Sequence, residues 1–88
     1  MIADLVTDLL GERVAVYGRK GWLVASRPAI TCTGIVRAVR GDGLLVEVRG
    51  PATDPDPSWP ETNPSVQDDA CFGEIVSVTF DSHYVRRL

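Results

Sequence analysis

The single histidine, His83, follows Asp81 and Ser82, so the three residue types of an acyl-transfer triad stand side by side. A triad needs its members to converge in space, whereas neighbours on extended backbone point to opposite faces. Asp and Ser are ordinary turn residues, and the tripeptide reads as a turn between two strands. Cys32 and Cys71 have no Cys-x-x-Cys partner and only one histidine for company, too few ligands for a tetrahedral zinc site. Each reads as a small core or strand residue. The acids Asp54, Asp56, Glu61, Asp68 and Asp69 do not keep calcium-loop spacing and have prolines between them, so they read as a solvated face. Gly18-Arg19-Lys20-Gly21 lacks the length and the following helix of a phosphate-binding loop. Arg40-Gly41-Asp42 has the integrin-type spelling, but Gly-Asp-Gly is also what a hairpin tip asks for. No catalytic residue, cofactor or metal is expected, and the chain is not read as an enzyme.

Binding residues are easier to find. Arg19, Lys20, Trp22 and Arg27 share one segment, a basic loop with an aromatic in it. Arg37 and Arg40 could extend it, as could Arg49, Arg86 and Arg87. Small barrels bind single strands by pairing a basic groove with stacking aromatics, so this set is the candidate nucleic-acid contact. Trp22 and Trp59 are candidate anchors for a protein partner, because tryptophan is enriched at interface hot spots. Local packing would explain both equally well. Pro57-Ser58-Trp59-Pro60 has Pro-x-x-Pro spacing, to be offered to a partner or packed back on the domain.

Composition limits what can hold these residues. Eighty-eight residues make one small domain with one core. Hydrophobic content of 44% and charged content of 24% are ordinary for a globular chain. A net charge of −3 supplies no strong overall field toward nucleic acid or membrane. No stretch approaches the roughly 20 apolar residues of a membrane helix. The start, with Asp4 and Asp8, lacks the pattern of a signal peptide, and two cysteines make no disulfide framework, so a cytoplasmic protein is expected. Eight of the nine basic residues are arginine, a skew that hints at a GC-rich bacterial or phage genome.

Ile2, Leu5, Val6, Leu9 and Leu10 form one helical stripe, which predicts a helix over 2–10 closed by Gly11. The period then switches to two. Residues 13–17, 31–40, 44–49, 74–80 and 84–88 read as five strands, with 18–30 a loop. A three-residue connection, Gly41-Asp42-Gly43, sets Val36 opposite Val48, Ala38 opposite Val46 and Arg37 opposite Glu47, with Gly43 in a left-handed conformation. Residues 50–72 hold five of the six prolines and five acids without a base. That long segment is expected to be mobile, solvated and dispensable to the core. Val14, Val16, Val36, Ala38, Val46, Val48, Val76, Val78 and Phe80 should form the core.

A short helix and five short strands suggest a mainly β fold, a small five-stranded antiparallel barrel. The ending Phe80-Asp81-Ser82-His83-Tyr84-Val85 resembles the last strands of a Src-homology-3 type barrel, where the penultimate strand runs into a turn of pattern Pro-Ser-Asn-Tyr-Val. Ser82, Tyr84 and Val85 match; Asp81 and His83 replace the proline and asparagine. Ala15-Val16-Tyr17 is similar to that family's Ala-Leu-Tyr start. An Sm-like barrel, with a helix before five strands, fits the element order as well. The resemblance implies an aromatic floor from Tyr17 and Tyr84. It does not carry over proline-rich peptide recognition, because the first loop is basic and residues 31–49 lack tryptophan. The reading is a non-enzymatic binding module that docks a protein partner or copies of itself through Trp22, Trp59, Tyr17 and Tyr84. The alternative is a nucleic-acid-binding barrel using Arg19, Lys20, Arg27, Arg37 and Arg40. Neither a membrane nor a metal is expected as a partner.

Overall fold

The computed structural model describes residues 9–52, 57–59, 61–67 and 72–88. Seven strands follow one another: β1 (Arg13–Gly18), β2 (Leu23–Val24), β3 (Arg27–Pro28), β4 (Cys32–Arg40), β5 (Gly43–Gly50), β6 (Ile75–Thr79) and β7 (His83–Arg87). Five of them form one antiparallel sheet in the order β6-β5-β4-β1-β7, and β2 and β3 form a separate hairpin. The protein is mainly β. The ladder does not close into a barrel among the described residues, since β6 and β7 remain its two ends. Residues 2–8 of the expected helix over 2–10 lie outside the described residues. Leu9 and Leu10 lie in a turn, and Gly11, at φ 80°, donates its N–H to the Val36 carbonyl oxygen.

Alternation puts Val14 and Val16 of β1, Val36 of β4, Val46 and Val48 of β5 and Val78 of β6 on one face, where they join Cys32 and Leu44 in a single buried cluster. Cys32 is thus a core residue, as its type suggested; Cys71 lies outside the described residues. Ala38 and Val76 are only half-buried. Phe80 is not in the core: it stands in the turn after β6 and is 37% exposed, because the strand ends at Thr79 and its alternation stops there.

The β4–β5 hairpin forms in a different register from the one expected. Arg40 pairs with Gly43 across a two-residue turn, and Val36 pairs with Val46 rather than Val48. A two-residue turn alone would place Val36 opposite Glu47 and turn the apolar face outward. A bulge between Val36 and Ala38 takes up one residue and restores the apolar pairing. Gly43 does not adopt a positive φ. Its need for glycine is steric: a Cβ there would collide with the backbone carbonyl oxygen of Val78 on β6.

Two expectations about loops also change. The 18–30 segment contains the β2–β3 hairpin, whose tip, Ala25 and Ser26, has positive φ at both residues (51° and 68°). Part of the proline-rich segment is stitched into the body. Thr62 bridges Arg19 and Ser65 bridges Thr31. Asn63 donates its backbone N–H to the Gly18 carbonyl oxygen (2.7 Å), and Val66 donates to that of Thr31 (2.9 Å). Buried Thr31 knots the junction, since its Oγ1 accepts from the Gly18 N–H (2.9 Å) and donates to the Asn63 carbonyl oxygen (2.8 Å). Residues 61–67 therefore satisfy backbone groups of β1's end, which a free solvated loop would leave open. Asp54, Asp56, Pro55, Pro60, Asp68 and Asp69 lie outside the described residues.

Candidate functional site: an aromatic and guanidinium strip

Strand β1 is central in the sheet and its last five residues are all buried. Val14 and Val16 face the core; Ala15 and Tyr17 face the other way and need a separate cover. The register of β1 with β7 sets Tyr17 directly opposite Tyr84 and Ala15 opposite Arg86. Tyr84 and Arg86, two apart on β7, therefore flank Tyr17 on one face.

Trp59, from the long segment, closes this face. Its ring lies over Tyr84 with centroids 4.9 Å apart and planes 13° from parallel, and 5.0 Å from Tyr17 at a tilt of 60°. Arg86 reaches across the same group. Its guanidinium stands 5.6 Å from the Tyr17 centroid and 6.0 Å from that of Trp59, and Nη2 donates to the Tyr17 hydroxyl (3.1 Å). On the other side Arg19 lies between Tyr84 (5.5 Å) and Trp22 (4.7 Å), held by a hydrogen bond from Nη1 to the Asp81 carbonyl oxygen (2.9 Å). The result is one strip: Trp22, Arg19, Tyr84, Trp59, Arg86, with Tyr17 beneath. Guanidinium groups over aromatic faces are attracted by the ring quadrupole, about 0.5–1 kcal/mol each at exposed sites.

All four expected docking residues meet here, but not in equal roles. Tyr17 is fully buried and supports the strip from below. Tyr84 and Trp59 are half-buried, and Trp22 is 43% exposed. A shallow hollow of about 540 Å³ opens beside Trp22, bordered by Arg19, Lys20 and Glu61.

The expected nucleic-acid set is dispersed instead. Arg19 belongs to the strip, and Lys20 sits beside it, facing Glu61 at 3.8 Å. Arg27 is on β3, Arg37 on β4 is tied to Glu47 (2.9 Å), and Arg40 ends β4 at the hairpin turn. Arg49 also pairs with Glu47, and Arg87 with Glu12. Arg19 and Lys20 border the hollow beside Trp22, whereas Arg27 borders a different cleft.

The Asp81-Ser82-His83 segment is not a plain exposed turn. Ser82 and His83 are buried, and the Thr79 hydroxyl donates to Ser82 Oγ (2.9 Å). His83 opens β7 with Nδ1 3.2 Å from the Thr79 carbonyl oxygen, while Nε2 has no hydrogen-bond partner among the described residues. Burial pushes the imidazole pKa below its usual 6.5, opposed by the bond to Thr79. No carboxylate contacts the ring among the described residues, so no triad is assembled. Sequence reasoning left Arg86 as a remote extension of the basic set, although its place two residues after Tyr84 on a strand already put both on one face. It missed His83 and Thr31 as buried polar residues, because burial of a polar side chain follows from tertiary pairing.

Comparison of the chain with protein-family models, with curated proteins and with solved structures finds no match.

Proposed function

We propose that this chain is a non-enzymatic binding module with a small SH3-like or Sm-like barrel architecture, from a bacterium or phage, that docks a protein partner or another copy of itself in the cytoplasm. Support for the barrel comes from the core. Valines from β1, β4, β5 and β6 meet in one cluster, although all four strands belong to a single sheet, so the sheet must curl around its own face. The tight turn from β6 into β7, with Ser82 buried and Tyr84 on the next strand, is where the Src-homology-3 resemblance fell.

The observation that carries the docking function is the continuous strip from Trp22 to Arg86. Aromatic residues and arginine are the side chains most enriched at binding hot spots, and here each is already held in place by its neighbours, which lowers the ordering cost of binding. A protein partner fits better than nucleic acid. Trp59 already covers Tyr84, and Lys20, Arg37, Arg49 and Arg87 are engaged by acids.

The test is affinity capture with the full chain at low and moderate salt, against Trp22→Ala and Arg19→Ala. A protein docked on the strip should stay bound at moderate salt and lose about thirtyfold in affinity on Trp22→Ala, the loss expected for a hot spot of about 2 kcal/mol. Single-stranded DNA or RNA would behave differently, its affinity falling steeply with salt and less steeply after Arg19→Ala. Micromolar, salt-sensitive binding of either nucleic acid by the full chain would replace the protein-docking reading.

A further inference from the structure

The strip from Trp22 to Arg86 is one-sided in its hydrogen bonding. Guanidinium groups and indole N–H groups can only donate, so Arg19, Trp22, Trp59 and Arg86 offer donors and no side-chain acceptor. Both arginines are held through neutral oxygens: Arg19 donates to the Asp81 backbone carbonyl oxygen and Arg86 to the Tyr17 hydroxyl. Neither guanidinium is in an ion pair among the described residues, whereas Lys20, Arg37, Arg49 and Arg87 each face an acid. A guanidinium lying over a ring keeps its rim of N–H groups for a carboxylate, which it can grip with two parallel bonds.

The sheet sets the spacing of these two charges. Arg86 stands opposite Ala15, and Tyr84 opposite Tyr17. Arg19 prolongs the same ladder, donating its backbone N–H to the Ser82 carbonyl oxygen (2.8 Å). Ala15, Tyr17 and Arg19 alternate onto one face, so the two arginines stand four positions apart, about 13 Å of extended backbone. The Tyr84–Trp59 stack lies between them. Beyond Arg19 comes exposed Trp22, with the hollow of about 540 Å³ at its side. Glu61 on the rim of that hollow faces Lys20, so the two together add no net charge.

We propose that the protein docked on this strip presents an extended acidic segment, with two carboxylates four residues apart for Arg19 and Arg86 and an apolar or aromatic side chain midway, over the Tyr84–Trp59 stack. This names the partner's chemistry and rests on the docking reading of the same strip. Four residues of extended chain repeat the span of about 13 Å and put both acids and the middle side chain on one face. A helix would bring acids four residues apart to about 6 Å along its axis, too close for both arginines. The chain's net charge of −3 opposes such a segment only weakly, because charges farther than about 8 Å are screened at physiological salt.

The probe is an acetylated, amidated peptide, Ser-Glu-Ser-Phe-Ser-Glu-Ser, titrated at low salt into the isotopically labelled full chain. A second peptide has both glutamates replaced by glutamine, which keeps shape and removes charge. The expected result is shifted resonances at the Arg19 and Arg86 side-chain N–H groups and at the Trp22 and Trp59 indoles, with the glutamine peptide weaker by about tenfold or more. Arg19→Gln leaves the bond from Arg86 to Tyr17 in place and should remove most of the preference for the acidic peptide. Equal binding of the two peptides, with shifts on the strip, overturns the acidic partner and leaves docking on the strip standing. No binding of the acidic peptide at millimolar concentration also overturns it, and affinity capture with Trp22→Ala then decides on docking separately. Single-stranded DNA that displaces the acidic peptide and binds more tightly would overturn both readings, assigning the strip to nucleic acid.

Discussion

Trp59 stacks on Tyr84 almost in parallel, 4.9 Å between centroids, and so links the proline-rich segment to the last strand of the sheet. The stack also roofs Tyr17, whose hydroxyl is otherwise reached only by Arg86 among the described residues. One loop side chain thereby completes the burial of a central strand on its second face. The segment's contribution is structural as well as functional.

Trp59→Ala should therefore destabilise the fold, by about 1–3 kcal/mol, through lost burial and the two ring contacts. In a domain of this size that is a fall in Tm of several degrees or more. Thermal unfolding followed in the far ultraviolet measures it. An unchanged Tm would mean that the stack does not hold in solution.

The β4–β5 turn contains a matched pair of glycines with opposite demands. At Gly43 a Cβ would meet the Val78 carbonyl oxygen, an atom fixed by the sheet, whereas at Gly41 nothing lies within 4 Å and φ is not positive. Gly43→Ala should cost about 2 kcal/mol or more, as strain at a rigid backbone contact does. Gly41→Ala should be neutral, or stabilising by a few tenths of a kcal/mol through a less flexible unfolded chain. Denaturant titration of the two variants checks the contrast, and equal effects would contradict the register.

How far the sequence reaches is visible at this same hairpin. Both strands and their pairing are legible from the alternation of Val36, Val46 and Val48. The register is not, because turn length and bulge compensate one another and only their sum is constrained by the apolar faces. At Trp59 composition misleads. Prolines and acids around it argue for solvation, while the pairing of Asn63 with Gly18 and Val66 with Thr31 is set by groups more than thirty residues away. The strip itself was half legible: its residue types stood out, but the order Trp22, Arg19, Tyr84, Trp59 exists only after β1 and β7 pair.

The tip of the β2–β3 hairpin stores backbone strain. Ala25 and Ser26 form a two-residue turn with φ of 51° and 68°, a region that asparagine and glycine occupy at lower cost. Ala25→Asn combined with Ser26→Gly should stabilise the protein by roughly 0.5–1 kcal/mol. A rise of a few degrees in Tm is the expected reading. A loss of stability would show that the side chains at this tip are needed where they stand.

His83 should make stability fall on mild acidification. Thr79 can only accept through its carbonyl oxygen, so Nδ1 carries the proton and Nε2 is left as a buried lone pair. A second proton would place a charge in a site 3% exposed, and burial accordingly holds the pKa below 6.5. Arg27 and Glu74, of opposite charge, line the same cleft as His83. The unfolded chain takes up its proton near pH 6.5 while the folded one does not. The stability that neutral His83 contributes is thus complete above pH 6.5. It is lost as the pH falls from there through the lower folded pKa, with a slope of up to about 1.4 kcal/mol per pH unit. Carboxylates titrate mainly below about pH 5, so the upper part of this window belongs to His83. Urea unfolding of the wild type and of His83→Leu at steps between pH 7.5 and 5 should show the decline in the wild type alone. A decline of equal size in both proteins would locate the titrating group elsewhere.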